Sequence, residues 1–100
     1  MINKMRPIHP GEILKGEIEE LNLSANAFAK ALDVPTNRIT AILNKQRGIT
    51  ADTALRLARF FSSSPDFWMS LQSSYDVKLA HAAAGEDIKK NVKTKALLAA

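Results

Sequence analysis

The sequence contains no cysteine, and it has few glycine, proline or aromatic residues. The absence of cysteine excludes disulfide bridges, thiolate nucleophiles and cysteine-ligated zinc, and it fits a reducing cytoplasm. No apolar run approaches the roughly 20 residues of a membrane-spanning helix. The opening MINKMRPIHPGEIL also lacks the apolar stretch of a secretory signal. The sequence therefore predicts a cytoplasmic protein with no membrane segment and no redox chemistry.

Length and charge narrow the class of protein further. One hundred residues fit one compact domain, and the 46% hydrophobic content is that of an ordinary folded chain. Fourteen basic residues stand against ten acidic ones, which gives a net charge of +4 at neutral pH. A basic domain of this size makes a polyanion a plausible partner.

Apolar residues recur at intervals of three and four residues, the period of amphipathic helices, whereas the alternation typical of strands is absent. Helix starts are predicted at Pro10 and Pro35, with Ser24, Thr50 and Ser64 as N-caps of the other three helices. The predicted inward residues are Leu14, Ile18, Leu21, Phe28, Ala29, Leu32, Ile39, Ile42, Leu43, Ala54, Leu57, Ala58, Phe61, Trp68, Leu71, Tyr75 and Leu79. The fold class is all-α, a compact five-helix bundle.

The fifth helix is expected to end near His81, and the domain is expected to cover residues 1–82. Residues 83–100 form a lysine-rich tail that either frays or docks on a partner chain.

Two short predicted helices between Ser24 and Asn44 are joined by a tight turn, which is the arrangement of a helix-turn-helix. The small side chain of Ala29 allows these helices to cross closely. Asp33 occupies the turn position where glycine is usual, and aspartate tolerates the left-handed conformation better than most residues.

The outer face of the third helix carries side chains suited to reading DNA bases. Asparagine pairs bidentately with adenine, arginine pairs bidentately with guanine, and threonine offers a hydroxyl or a methyl group in the major groove. No acidic residue interrupts this face, which consists of Thr36, Asn37, Arg38, Thr40, Ala41 and Asn44, followed by Lys45 and Arg47. Residues 24–48 hold four basic residues and one acidic residue. The alternative interpretation is an ordinary solvated helix surface.

Other chemistry finds little support in the sequence. His9 and His81 lack companions with metal-ligand spacing and are interpreted as incidental, so no metal and no cofactor is predicted. Glu17 and Glu20 share one helix face without a partner base. No nucleophile stands beside a candidate base, and the chain is therefore not expected to be an enzyme.

Five stretches of sequence resemble the HigA-type antitoxins, also called VapI-like plasmid-maintenance proteins, within the Xre class of helix-turn-helix regulators. They are RPIHPGEIL (6–14), VPTNRITAILN (34–44), RGITADTALRLAR (47–59), SPDFW (64–68), and Leu71-Gln72 with Tyr75-Asp76. The helix-turn-helix stretch is shared by many regulators. The combination of His-Pro-Gly-Glu with Ser-Pro-Asp-Phe-Trp is more particular to this group.

The resemblance implies a transcriptional repressor that binds, as a homodimer, a palindromic operator in its own promoter. It also implies that the protein neutralises a small basic toxin that cleaves RNA, and that it is found on the nucleoid through DNA binding. The recognition positions of the family fall on Thr36, Asn37, Arg38, Thr40 and Asn44. Lys45 and Arg47 would contact phosphates, and Asn26 and Lys30 lie where the preceding helix approaches the DNA backbone.

The sequence leaves several alternatives open. A solitary Xre-family regulator without a toxin is the competing function. The acidic face of Glu17, Glu19 and Glu20 and the C-terminal tail are both candidate toxin surfaces, and the fifth helix is the candidate dimer seam. Many relatives carry glycine where Lys45 stands, so the geometry after the third helix departs from the family pattern at this position.

Overall fold

The computed structural model describes residues 6–99, and every regular element in that range is an α-helix. The elements are α1 (Pro10–Glu20), α2 (Ala25–Leu32), α3 (Thr36–Leu43), α4 (Ala51–Phe61), α5 (Pro65–Asn91) and the short α6 (Lys95–Ala99). The predicted all-α fold with a helix-turn-helix is confirmed, and α6 is an addition that the sequence did not suggest. Residues 1–5 of the predicted domain and Ala100 of the predicted tail lie outside the described range.

Hydroxyl side chains begin three of the helices, as predicted. Each accepts a hydrogen bond from a backbone N–H in the first turn, Ser24 from Ala27, Thr50 from Thr53 and Ser64 from Asp66. These bonds satisfy donors that a helix start otherwise leaves without a partner. Pro35 was predicted as the first residue of α3, and this prediction is wrong by one position. Its ψ of 145° is extended, so Pro35 is the N-cap and the helix begins at Thr36.

The start of α1 is a capping box built from a histidine and a glutamate. The Nδ1 atom of His9 accepts the backbone N–H of Gly11 at 2.9 Å, and the Glu12 carboxylate accepts the backbone N–H of His9 at 3.0 Å. Glu12 also forms a two-point ion pair with Arg6, with N···O distances of 2.9 and 3.1 Å. The hydrogen bond from Arg6 is the main reason why the pKa of Glu12 is lowered to about 2. The prediction that His9 is incidental is therefore wrong.

The His9 ring is 3% exposed and contacts Tyr75 edge to face at 4.9 Å. Burial is the largest effect and lowers the pKa of His9 below the ordinary 6.5. The charge of Lys45 also lowers this pKa, whereas the carboxylates of Glu12 and Asp76 raise it. The unfolded chain therefore binds the proton more readily than the folded chain. Protonation at Nδ1 would also remove the acceptor that caps α1.

We expect the free energy of unfolding to decrease as the pH is lowered through and below about 6.5, and to level off once folded His9 is protonated. Urea unfolding between pH 8 and pH 5 measures this. His9→Asn keeps a capping oxygen but does not titrate in this range. At pH 8 the free energy of unfolding of the variant should be lower by about 1 kcal/mol, because the aromatic contact is gone. Between pH 8 and pH 5 this free energy should depend less on pH than that of the wild type. An unchanged pH dependence in His9→Asn would contradict the assignment.

One apolar core lies between the first four helices and the start of α5. α1 packs on α3 and α5, α2 packs on α3 and α4, and α4 packs on α5. The buried apolar residues are Leu14, Ile18, Phe28, Ala29, Leu32, Ile39, Ile42, Ile49, Ala54, Leu57, Ala58 and Trp68. Two predicted inward residues are corrected. Leu21 is 49% exposed because α1 ends before it, and Leu79 is 45% exposed because α5 has left the core by that point.

The fifth helix is longer than predicted. It continues for ten residues beyond His81 and has 27 residues, or about 40 Å at 1.5 Å per residue. The molecule is consequently elongated, with extents of 58 × 22 × 21 Å. The predicted domain boundary at residue 82 falls inside this helix, and residues 83–91 of the predicted tail continue it. Within the described part of the tail, no side chain is buried.

Candidate nucleic-acid interface

The turn between α2 and α3 has the conformation predicted from the sequence. Asp33 is left-handed, with φ 58° and ψ 49°, and its backbone N–H donates to the carbonyls that end α2. Ala29 is fully buried where the two helices meet. The turn therefore fixes α3 against α2 and turns one side of α3 toward solvent.

The solvent-facing side of α3 is a stripe of polar residues. Asn37, Thr40 and Asn44 follow each other at spacings of three and four, so they share one face. Asn37 and Asn44 are exposed and Thr40 is partly exposed, whereas Ile39 and Ile42 on the opposite side are fully buried. The arrangement leaves amide and hydroxyl groups facing outward on a short helix that is anchored from behind. That these side chains contact DNA stays a prediction.

One flank of this stripe is tied to α2. The Thr36 hydroxyl donates to the side-chain oxygen of Asn26 at 2.8 Å, and this bond joins the first turn of α3 to the first turn of α2. Two predicted DNA-contacting residues therefore lie side by side. A phosphate oxygen only accepts hydrogen bonds, so Asn26 would meet a phosphate through its NH₂ group, while its side-chain oxygen accepts from Thr36. Lys30 lies further along α2 and is exposed.

The other flank is tied to α4. Arg38 Nη1 donates to Asp52 Oδ2 at 2.6 Å, and the Arg38 side chain is only 24% exposed. The sequence predicted Arg38 on the open outer face of α3. The structure brings it instead to the edge of that face, since it is about 100° around the helix from Asn37. Asp52 also lies in the first turn of α4.

Arg56 completes this flank, and sequence reasoning missed it. Its guanidinium donates to Asp52 at 2.9 Å and to the backbone carbonyls of Leu32 and Asp33 at 2.9 and 3.1 Å. The pKa of Asp52 is lowered by the hydrogen bonds that its carboxylate accepts from two arginines. The bond from Arg56 has the larger effect, and the bond from Arg38 comes next. The only sequence signal was the four-residue spacing of Asp52 and Arg56, which is also that of ordinary surface pairs.

The loop after α3 carries the two predicted phosphate contacts. Lys45 and Arg47 are both exposed. The far end of the loop is held by α5, since Gln72 Oε1 accepts the backbone N–H of Ile49 at 2.7 Å. A Cβ atom on Gly48 would lie 2.7 Å from that same oxygen, so glycine is what allows the Gln72 amide to approach. The loop is thus fixed at both ends rather than loose.

Lys45 has a φ of 62°, a left-handed conformation that costs a non-glycine residue about 1 kcal/mol. Lys45→Gly should therefore raise the free energy of unfolding by about 1 kcal/mol. It should also weaken DNA binding, because the predicted phosphate contact of Lys45 would be lost. The slope of log affinity against log salt should fall by about 0.9 per half-site.

Lys45→Ala separates the two effects. Alanine removes the charge but retains the strained backbone, so this variant should lose the same salt slope without gaining stability. Thermal unfolding and fluorescence anisotropy at several salt concentrations provide the measurements. Equal stability of the glycine and alanine variants would contradict the strain argument, and an unchanged salt slope in both would remove Lys45 from the phosphate contacts.

Residues 6–99 contain no group of three or more histidine, aspartate or glutamate side chains placed to hold a metal ion. None of the helices described is both long enough and apolar enough to span a bilayer.

Comparisons with known proteins agree with this geometry. The family model described as Helix-turn-helix (HTH_3) matches residues 14–68. Virulence-associated protein I of Dichelobacter nodosus is 53% identical over 79 residues, which are 78% of this chain and 73% of that protein.

Two solved structures are similar over most of the chain. An addiction module antidote protein of a HigA family from Coxiella burnetii is 58% identical, with a TM-score of 0.88 over 90% of this chain and 99% of that chain. The antitoxin HigA of Pseudomonas aeruginosa, solved with the higBA promoter, is 46% identical, with a TM-score of 0.86 over 90% of this chain and 99% of that chain. Both similarities extend well beyond α2, the turn and α3.

Proposed function

Because the chain belongs to the HigA family of helix-turn-helix proteins, we propose that it is a DNA-binding antitoxin that represses its own operon. The observation that carries the proposal is the outer stripe of α3, which has no acidic residue and is held by α2 on one flank and α4 on the other. The family is one of DNA-binding proteins and not of enzymes. The site of action is the nucleoid in the cytoplasm.

The proposed complex is a homodimer on a palindromic operator. Two copies of α3 would enter successive major grooves, about 34 Å apart along the DNA. Asn37, Thr40 and Asn44 would read base edges. Lys30, Lys45 and Arg47 would contact phosphates and make the affinity dependent on salt.

The second half of the proposal is neutralisation of a small basic toxin that cleaves RNA. Charge complementarity supports α1 as the contact surface, because Glu19 and Glu20 are exposed and Glu17 is partly exposed there. Reversing the charge of these three glutamates should weaken toxin binding. If toxin binding is unaffected, the described residues of the C-terminal tail become the preferred surface.

The test is to express the chain from its own flanking genomic DNA with an affinity tag, and to identify co-purifying proteins by mass spectrometry. A stoichiometric small basic protein is expected. In parallel, anisotropy titrations compare the upstream DNA with a scrambled duplex. Preference for the upstream DNA without any co-purifying protein would favour a solitary regulator, and equal binding to both duplexes would overturn the repressor function.

A further inference from the structure

Asp52 is the centre of a three-residue ion-pair cluster at the edge of the outer stripe of α3. It accepts from Arg38 of α3 at 2.6 Å and from Arg56 of α4 at 2.9 Å. The three side chains are 24% to 55% exposed, so water reaches the cluster. An exposed cluster of this kind contributes little to stability. Stability is therefore not the main effect of the arrangement of these three side chains.

Arg56 fixes the orientation of the Asp52 carboxylate. Its Nε donates to Asp52, while its Nη1 donates to the carbonyls of Leu32 and Asp33 at the turn between α2 and α3. The guanidinium is planar and rigid, so these bonds define the position of Asp52 relative to the turn. The carboxylate is thus a fixed acceptor beside α3.

Arg38 has donors left over after it pairs with Asp52. Within residues 6–99, its guanidinium makes one hydrogen bond, from Nη1 to Asp52. A guanidinium has five N–H donors. Arg38 is also the third residue of α3, and the first residues of a recognition helix are those that reach base edges.

We propose that Asp52 is a positioning residue for base recognition, which holds Arg38 so that the remaining guanidinium donors meet O6 and N7 of a guanine in each operator half-site. The proposal rests on the proposed function, in which α3 enters the major groove. Holding the side chain before binding reduces the rotamer freedom that is lost on binding. Asp52 itself carries a negative charge near DNA, so it contributes discrimination between sequences and no general affinity.

A purely structural role of Asp52 is the competing explanation, because an acid in the first turn also stabilises α4 through the helix dipole. Asp66 is a matched control. It occupies the same second position of α5, two residues after the N-cap Ser64, as Asp52 occupies after Thr50. Asp66 takes part in none of the ion pairs that the structure records within residues 6–99. Asp66→Asn therefore removes the interaction of a first-turn acid with the dipole of α5, and it breaks none of these ion pairs.

The experiment selects the preferred sequence of the full chain from random duplex DNA. Anisotropy then gives Kd for that duplex, for all its single-base-pair variants and for a scrambled duplex. The wild type should discriminate one guanine per half-site by about 5- to 150-fold. Asp52→Asn should lose most of this discrimination at that position, and its affinity for scrambled DNA should be unchanged or higher.

Three further measurements sharpen the assignment. Asp66→Asn should keep the wild-type preferences. The double variant Arg38→Ala with Asp52→Asn should discriminate no less than Arg38→Ala alone, because both changes act through one contact. Replacing the selected guanine by 7-deazaguanine, which lacks the N7 acceptor, should weaken binding of the wild type more than binding of Asp52→Asn.

The outcomes separate the two proposals. If the wild type selects no sequence, the proposed function fails and this inference fails with it. If the wild type selects a sequence and Asp52→Asn keeps the same preference at every position, only the inference is overturned. A uniform loss of affinity for all duplexes in Asp52→Asn, accompanied by a lower melting temperature, also overturns it, because that is the result of a structural role.

Discussion

Gly11→Ala is expected to destabilise the protein by about 3 kcal/mol, the upper part of the range for overpacking a filled core. A Cβ atom on Gly11 would lie 2.0 Å from the backbone oxygen of Ile42 and 2.9 Å from its carbonyl carbon. Backbone atoms cannot rotate away as a side chain does, so α1 or the end of α3 has to move. For a domain of this size the change corresponds to a decrease in melting temperature of roughly 12 to 24 °C.

Gly16→Ala is the matched control, because it makes the same substitution in the same helix. A Cβ atom on Gly16 would meet nothing within 4 Å. Alanine is the better helix former, so this variant should be more stable by about 0.5 to 1 kcal/mol. Chemical and thermal unfolding of both variants give the comparison. Similar melting temperatures for the two would mean that α1 and α3 are further apart than the structure has them.

The Gly11 contact also gives the His-Pro-Gly-Glu stretch a physical explanation. His9 and Glu12 form the capping box, Pro10 fits the first helical turn, and Gly11 allows α1 to lie against the end of α3. The resemblance to the HigA family rested in part on these four residues, and the comparisons confirm it. The stretch holds the helix on which the proposed DNA contacts lie.

Local physical chemistry made much of the fold predictable from the sequence. Helix caps such as Ser24 and Thr50 act within four residues, and the inward face of α3 follows from its period. The left-handed turn at Asp33 was predictable for the same reason. Each of these features depends on neighbours in the chain.

The features that the sequence did not reveal depend on distant residues or on a balance of weak effects. His9 is buried because Tyr75 covers it, 66 positions later in the chain. Arg38 pairs with Asp52 because α4 begins beside α3. The end of α5 was predicted too early because the apolar stripe stops, although the alanines after His81 are strong helix formers that continue the helix without burial.

The predicted contact surface itself can be tested by a single charge. Thr40→Glu places a carboxylate in the middle of the outer stripe of α3, where residues 36–44 carry no acid. The free energy of unfolding should change by no more than about 0.5 kcal/mol, because Thr40 is partly exposed and glutamate is a good helix former. A carboxylate about 6 Å from a DNA phosphate, at an effective dielectric constant of about 20, costs about 2.8 kcal/mol. We therefore expect an increase in Kd of at least about a hundredfold.

Thr40→Gln is the control that isolates the charge, since glutamine has nearly the shape of glutamate and is neutral. It should weaken binding by about tenfold or less, the loss of one base contact. Anisotropy titrations at two salt concentrations distinguish the two effects, because repulsion by phosphates is screened by salt and a lost base contact is not. If the glutamate and glutamine variants bind DNA equally well, phosphates do not approach this stripe and the DNA must lie on another surface. A large difference that shrinks as salt is added is the result required if α3 enters the groove with Asn37, Thr40 and Asn44 facing the bases.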